Sequence, residues 1–238
     1  MSEAAAGKDV GGTHPLDHVV WNALTSKQSR FALGDDRAVR FPAAIAPFAA
    51  VADPGSASFE ALHGLIGAQG PVALVTADKV VPPAGFSAIR QTTLLQMIWQ
   101  GKPDPANTWE HVRLAEGDVP EMIALTSATQ PGPFGPRTIE LGDYLGARRE
   151  GKLAAMAGER MRLDGYTEIS AVCVDAAFRG QGHAGGLMKL LIAAISARGE
   201  TPFLHVLTSN HSAIKLYRTL GFVERREMHL TVLGKAKA

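Results

Sequence analysis

Val172-Cys173-Val174-Asp175-Ala176-Ala177-Phe178-Arg179-Gly180-Gln181-Gly182-His183-Ala184-Gly185-Gly186-Leu187 reads, in order, as a buried strand, a glycine-rich turn and the opening of a helix. Glycines let the backbone approach a ligand with no side chain in the way. The first turn of a helix offers unpaired N–H groups and a partial positive charge. Together they make an anion site suited to a pyrophosphate, and Arg179 adds a charge beside it.

Upstream of this stretch the pattern predicts three strands, at 144–148, 153–161 and 166–174. They are joined by Glu150-Gly151-Lys152 and Asp164-Gly165, which suit tight hairpins. Downstream it predicts a helix from about Gly182 to Ala197, closed by Arg198-Gly199. A strand at 203–208, a helix at 211–219 and a strand near 227–233 follow. The fold class is therefore α/β: a mixed sheet in which an antiparallel meander leads into a βαβ unit with a parallel strand pair. Before the meander, Asp118-Val119-Pro120-Glu121 resembles a capping-box helix start. Pro131-Gly132-Pro133-Phe134-Gly135-Pro136 stops that helix and forms a stiff loop.

Gly101-Lys102-Pro103-Asp104-Pro105-Ala106-Asn107-Thr108 has the composition of a linker. The expected organisation is a loose tail over 1–13, an N-terminal α/β domain over 14–105 and a second domain over 106–238. Within 14–105 the sequence predicts helices over 16–32 and around Ala61, Leu62, Leu65 and Ile66, a strand at 72–75, and one or two strands over 86–99. It gives no site there.

Three ligands could use the glycine turn. Gly180 to Gly185 formally match G-x-G-x-x-G, but a dinucleotide fold wants an acidic residue about 20 positions on, and the strand there runs into Leu207-Thr208-Ser209-Asn210. A P-loop needs G-K-[ST], which is absent. Coenzyme A remains.

Here the chain resembles the GNAT superfamily of N-acetyltransferases. Arg179, Gly182 and Ala184 match [Q/R]-x-x-G-x-[G/A]. Asn210, Ala213, Leu216, Tyr217, Leu220, Gly221 and Phe222 match a second family element, Asn-x-x-Ala-x-x-Leu-Tyr-x-x-Leu-Gly-Phe. The resemblance covers about residues 109–234. It departs at Ala176, where many members have proline. It implies transfer of an acetyl group from acetyl-CoA to a primary amine by direct attack in a ternary complex. A longer acyl-CoA used on an amino acid, and a CoA-binding regulatory module without turnover, stay open. The N-terminal half is expected, by analogy alone, to be a degenerate relative of the same fold.

The resemblance puts pantetheine along the backbone of Val172, Cys173 and Val174. It puts the pyrophosphate on Arg179, Gly180, Gln181, Gly182, His183, Ala184 and Gly185. Asn210 caps the following helix and is placed near the cofactor. A departing thiolate needs a proton or a hydrogen bond, and the Tyr217 phenol is the candidate acid, against a plain packing role. Glu168 is the candidate base or amine-binding group, against an ordinary strand carboxylate; by alternation it shares a side with Ser170 and Val172. His205 and His211 read as structural, and the Cys173 side chain as a small core hydrophobe. The Gly185-Gly186 pair is expected to let the helix approach the cofactor closely.

The 24 basic side chains nearly balance the 23 acidic ones, leaving a net charge of +1, so no overall field favours nucleic acid or an anionic membrane. No apolar run is long enough to span a bilayer, and the start of the chain lacks the pattern of a secretory signal. One cysteine excludes an internal disulfide and fits a reducing cytoplasm. No metal cluster is expected. The acceptor is expected to be a small-molecule or peptide amine, bound by variable loops, 130–137 and the segment joining the two domains, and a homodimer is left open.

Overall fold

The computed structural model describes residues 14–102 and 108–236. The tail expected at 1–13 and the centre of the linker lie outside those residues. The described chain forms one mixed sheet of eleven strands. The N-terminal half supplies β1 (Leu33–Gly34), β2 (Ala38–Arg40), β3 (Phe48–Val51), β4 (Val72–Thr76) and β5 (Phe86–Trp99). The C-terminal half supplies β6 (Val112–Arg113), β7 (Tyr144–Arg149), β8 (Lys152–Leu163), β9 (Tyr166–Val174), β10 (Thr201–Leu207) and β11 (Phe222–Lys235). The helices are α1 (Val19–Thr25), α2 (Ser56–Gln69), α3 (Val119–Thr129), α4 (His183–Ala197) and α5 (His211–Thr219).

The meander forms as its turn residues dictate. Glu150 and Gly151 both take positive φ (53° and 76°) between β7 and β8, and Gly165 takes 77° between β8 and β9. The spacing of Leu187, Leu191 and Ile195, with Met188 and Ile192 beside them, gives α4 one apolar face, which it buries on the sheet. The return through β10 is parallel to β9, completing the expected βαβ unit.

The strand order is β1-β2-β3-β4-β11-β5-β10-β9-β8-β7-β6. The single long strand β5, from the N-terminal half, therefore pairs antiparallel with both β10 and β11 of the C-terminal half. The hydrogen-bonded sheet runs unbroken across the division near residue 105. This pairing also explains why β11 outruns the strand predicted at 227–233. Its polar start, Glu224-Arg225-Arg226-Glu227, lacks a strand pattern but lies alongside β5, with a bulge at Arg225.

Two local expectations are corrected. The capping box at Asp118 does not form: Asp118 accepts from the Ala115 N–H, and Glu121 turns to Arg148 and the Leu153 N–H. A charged partner and a strand amide outcompete the helix end. The alternation linking Glu168 to Val172 also fails. Ala171 takes φ 52°, and the β8–β9 register slips there. The bulge turns Ala171 and Cys173 toward α3, while Ile169 and Val172 face the α4 and α5 layer.

Candidate active site

Strands β9 and β10 pair only from Tyr166–Thr201 to Glu168–Phe203. Beyond that point they part, leaving Ile169–Val174 and Leu204–Leu207 without each other's hydrogen bonds. The inner edge of β9, with Val172, Cys173 and Val174, therefore presents extended backbone to a cleft. β9 leads from this cleft into the glycine turn.

The Asp175 side chain accepts from the Ala177 N–H at 2.8 Å and shapes the start of the turn. Gly180 (φ 78°) and Gly182 (φ 82°) both need the left-handed region, and a Cβ on Gly180 would meet open space. The exposed Arg179 side chain leans back on the Val174 carbonyl, Nε to oxygen 3.4 Å. Gln181 and Gly182 are exposed, while Ala184 and Gly185 are half-buried. Gly182 caps α4, so the helix leaves the N–H groups of His183, Ala184 and Gly185 without intrahelical partners.

The Cys173 side chain packs in the core as expected, and burial pushes its thiol up to about 11. Asn210 caps α5, accepting from the Ala213 N–H at 3.2 Å. His211 is exposed in the first turn of α5. Tyr217, on that helix, packs edge-on against Phe222 and faces the same layer as Leu216 and Val172. Burial, with a smaller effect from Cys173, pushes its hydroxyl up to about 12.

Glu168 stands at the apex of the cleft and is fully buried. Its oxygens take a two-pronged bond from Arg160 (2.8 and 2.6 Å) and a third bond from His205 Nδ1 at 2.8 Å. Burial alone would raise this carboxyl; the Arg160 charge, with bonds from Arg160 and His205, outweighs it and holds it at about 2. On the far side of the imidazole, His205 Nε2 meets Gln96 Nε2 at 2.9 Å. Arg225 donates to Gln96 Oε1 at 2.7 Å, which orients the amide so that its NH2 faces His205. His205 Nε2 therefore accepts, and Nδ1 carries the proton given to Glu168. Arg225 also reaches Asp17 at 2.7 Å.

Sequence reading missed Trp109, Gln96 and Arg225. It also explained Gly186 wrongly. A Cβ there would lie 2.2 Å from Trp109 Cδ2, so the glycine makes room for an indole, not for a cofactor. Gly185 is not crowded in this way, since its nearest neighbour is Leu216 Cδ1 at 3.8 Å. His183, assigned to the turn through its backbone, has a buried ring set edge-to-face on Trp109 at 5.8 Å. Burial, with the nearby Arg149 charge, lowers the His183 pKa.

This arrangement has known relatives. The family described as FR47-like protein matches residues 144–230. A crystal structure from Novosphingobium aromaticivorans DSM 12444, described as of the GNAT family, is 44% identical. It covers 94% of this chain and 100% of its own, with a TM-score of 0.87. The ribosomal protein bS18-alanine N-acetyltransferase of Escherichia coli K12 is 37% identical over 130 residues, 51% of this chain and 87% of that protein. The chain belongs to the GNAT family of N-acetyltransferases. A GCN5-related N-acetyltransferase from Kribbella flavida, 17% identical with a TM-score of 0.57, shares the fold across 93% of this chain and 94% of its own.

As a GNAT protein the chain is an N-acetyltransferase, and the dinucleotide reading of Gly180 to Gly185 falls away. At 94% of this chain, the likeness to the Novosphingobium structure reaches into the N-terminal half. Among the described residues no group of three or more His, Cys, Asp or Glu side chains could hold a metal ion. No described helix is long and apolar enough to cross a membrane.

Proposed function

We propose that this GNAT protein transfers an acetyl group from acetyl-CoA to a primary amine, by direct attack within a ternary complex. The carrying observation is the parted β9–β10 pair opening into a positive-φ glycine turn at the start of α4. A strand edge with free backbone groups suits the amides of a pantetheine arm. The unpaired N–H groups of the first helical turn suit a pyrophosphate. Val172, Cys173 and Val174 would hold the arm, and Arg179 to Gly185 the pyrophosphate, with Asn210 beside them. Acetyl-CoA supplies the acetyl group as an activated thioester.

Tyr217 keeps its proton on Oη across the working pH range, since burial pushes the hydroxyl up to about 12. Full transfer from such a phenol to a thiolate, whose conjugate thiol ordinarily has a pKa of about 8.5, would run uphill. Its contribution is therefore a hydrogen bond to developing charge on sulfur. Glu168 serves the acceptor side by orienting His205 and holding Arg160; a carboxyl held at about 2 is a weak base. The buried Cys173 thiol, at about 11, does not favour an acyl-enzyme route.

The amine of a peptide is a natural acceptor class, since the Escherichia coli relative is named for an alanine of a ribosomal protein. The loop over 130–137 would border the acceptor. It is tied to the N-terminal half by Arg137 N to Ala44 O at 3.0 Å, and just beyond it Thr138 Oγ1 donates to Ile45 O. Calorimetry should show acetyl-CoA binding to the parent and its loss in Arg179→Glu. Mass spectrometry of a pool of amines and peptides should show acetylated products. Equal affinity in parent and variant would remove the turn from the cofactor site.

A further inference from the structure

We propose that Trp109 is a positioning residue for the anion-binding turn: from just beyond the linker it clamps the first turn of α4 in the orientation that a pyrophosphate needs. The inference rests on the coenzyme A reading above and adds a residue outside both family motifs.

The first turn of α4 lies next to the end of β9, and its sequence is poorly suited to hold it there. Gly182 caps it and Gly185-Gly186 follow, so three of its first five positions carry no side chain. The structure supplies support from two flanks. On one side Leu216 of α5 approaches Gly185. On the other the Trp109 ring occupies the space over Gly182 and Gly186. A Cβ on Gly186 would lie 2.2 to 2.6 Å from its ring atoms, and one on Gly182 3.2 Å from Cη2. The buried His183 ring meets the indole edge-to-face at 86°. Gly182, His183 and Gly186 form one face of the helix, and Trp109 covers it.

Trp109 is itself anchored. Its carbonyl meets His111 Nδ1 at 2.8 Å, and neighbouring Glu110 pairs with Arg149 at the end of β7 at 3.2 Å. Among the described residues, the indole Nε1 and both His183 ring nitrogens are buried without a hydrogen-bond partner. The contact joins the indole to Gly182, His183 and Gly186 at the start of α4. Its geometric result is a fixed direction for the N–H groups of His183, Ala184 and Gly185. Preorganised donors bind an anion more tightly than donors that must first be ordered.

The test uses the full chain and two probes, coenzyme A and pantetheine, which lacks the pyrophosphate. Trp109→Ala should weaken coenzyme A by about tenfold or more while pantetheine affinity stays within about threefold. Trp109→Phe, which keeps a ring against the glycines, should restore most of the loss. Gly186→Ala provides a second route should Trp109→Ala not fold. Helix propensity favours the alanine, yet the methyl group displaces the indole, so coenzyme A affinity should fall and tryptophan emission shift to the red. A parent that binds neither probe overturns the coenzyme A reading and this inference with it. A parent that binds coenzyme A while the folded variants match it overturns this inference alone. Equal loss of both probes overturns it as well, because the contact would then support the whole cleft.

Discussion

Replacing Glu168 by glutamine removes one charge from a buried network and leaves the shape almost intact. The carboxyl is fully buried and its partner Arg160 is only 11% exposed, so solvent screens the pair little. The gap between an ordinary 4.5 and about 2, at about 1.4 kcal/mol per pH unit, comes to about 3 kcal/mol of stability. Breaking a buried pair by removing one partner costs about 3–5 kcal/mol by general experience, because the other charge stays behind. The two figures agree. The folded carboxyl is depressed, so its contribution is complete above about 4.5 and is lost as the pH falls toward 2. Urea unfolding of parent and Glu168→Gln, followed by circular dichroism, should differ by about 3–5 kcal/mol at pH 7. The difference should narrow steadily below pH 4.5, because only the parent titrates there. His205 Nδ1 can still donate to the glutamine oxygen, so its orientation should survive. A difference under about 1 kcal/mol at pH 7, or one that stays constant down to pH 3, would refute the reasoning.

Tyr217→Phe should lower turnover by about tenfold to a hundredfold with acetyl-CoA affinity unchanged, as expected for loss of one transition-state hydrogen bond; parental turnover would return the phenol to a packing role. Among the described residues its hydroxyl has no hydrogen-bond partner, so stability should move by less than about 1 kcal/mol. Cys173, buried with its thiol at about 11, should resist iodoacetamide at pH 8 in the folded protein; rapid labelling would contradict that burial. A fragment 106–238 lacks β5 and exposes the facing edges of β10 and β11, so it should be insoluble or unfolded unless residues 14–105 are supplied with it. A soluble, cooperatively folding fragment would show that the sheet closes without β5.

Much of the C-terminal half was legible because its signals are local. Gly151 and Gly165 mark turns whose positive φ few other residues accept, and Asn210 announces a helix that begins at the next residue. The parting of β9 from β10 was not legible, since strand patterns do not say where pairing stops. Nor was the Ala171 bulge, because alanine gives no hint of φ 52° and the slip shows only against β8. The reading of Glu168 met the same limit. Arg160 lies eight residues away, but the slip in register between Glu159 and Arg162 is part of what places it, and His205 arrives from another strand. Trp109 and Gly186 are 77 positions apart in sequence. A glycine pair inside a helix was the available signal, and it pointed to some close neighbour without saying which.

The insertion of β5 ties the N-terminal half to the cleft through an unbroken chain of contacts. Gln96 lies on β5 opposite His205, and its amide can face His205 only because Arg225 takes its oxygen. Arg225 projects from the bulge in β11 and is held in turn by Asp17, in the short turn before α1. Leu16, beside Asp17, accepts the second N–H of Gln96 at 2.9 Å. The tautomer of an imidazole at the cleft apex is thus set by residues at opposite ends of the chain. The same half also holds the loop over 130–137 through Ala44. On the proposed assignment, the turn read from one short stretch of sequence works beside an acceptor side assembled from both halves. On that assignment, substitutions at Asp17 or Arg225, remote from both family motifs, should raise the acceptor KM and leave acetyl-CoA affinity unchanged in calorimetry.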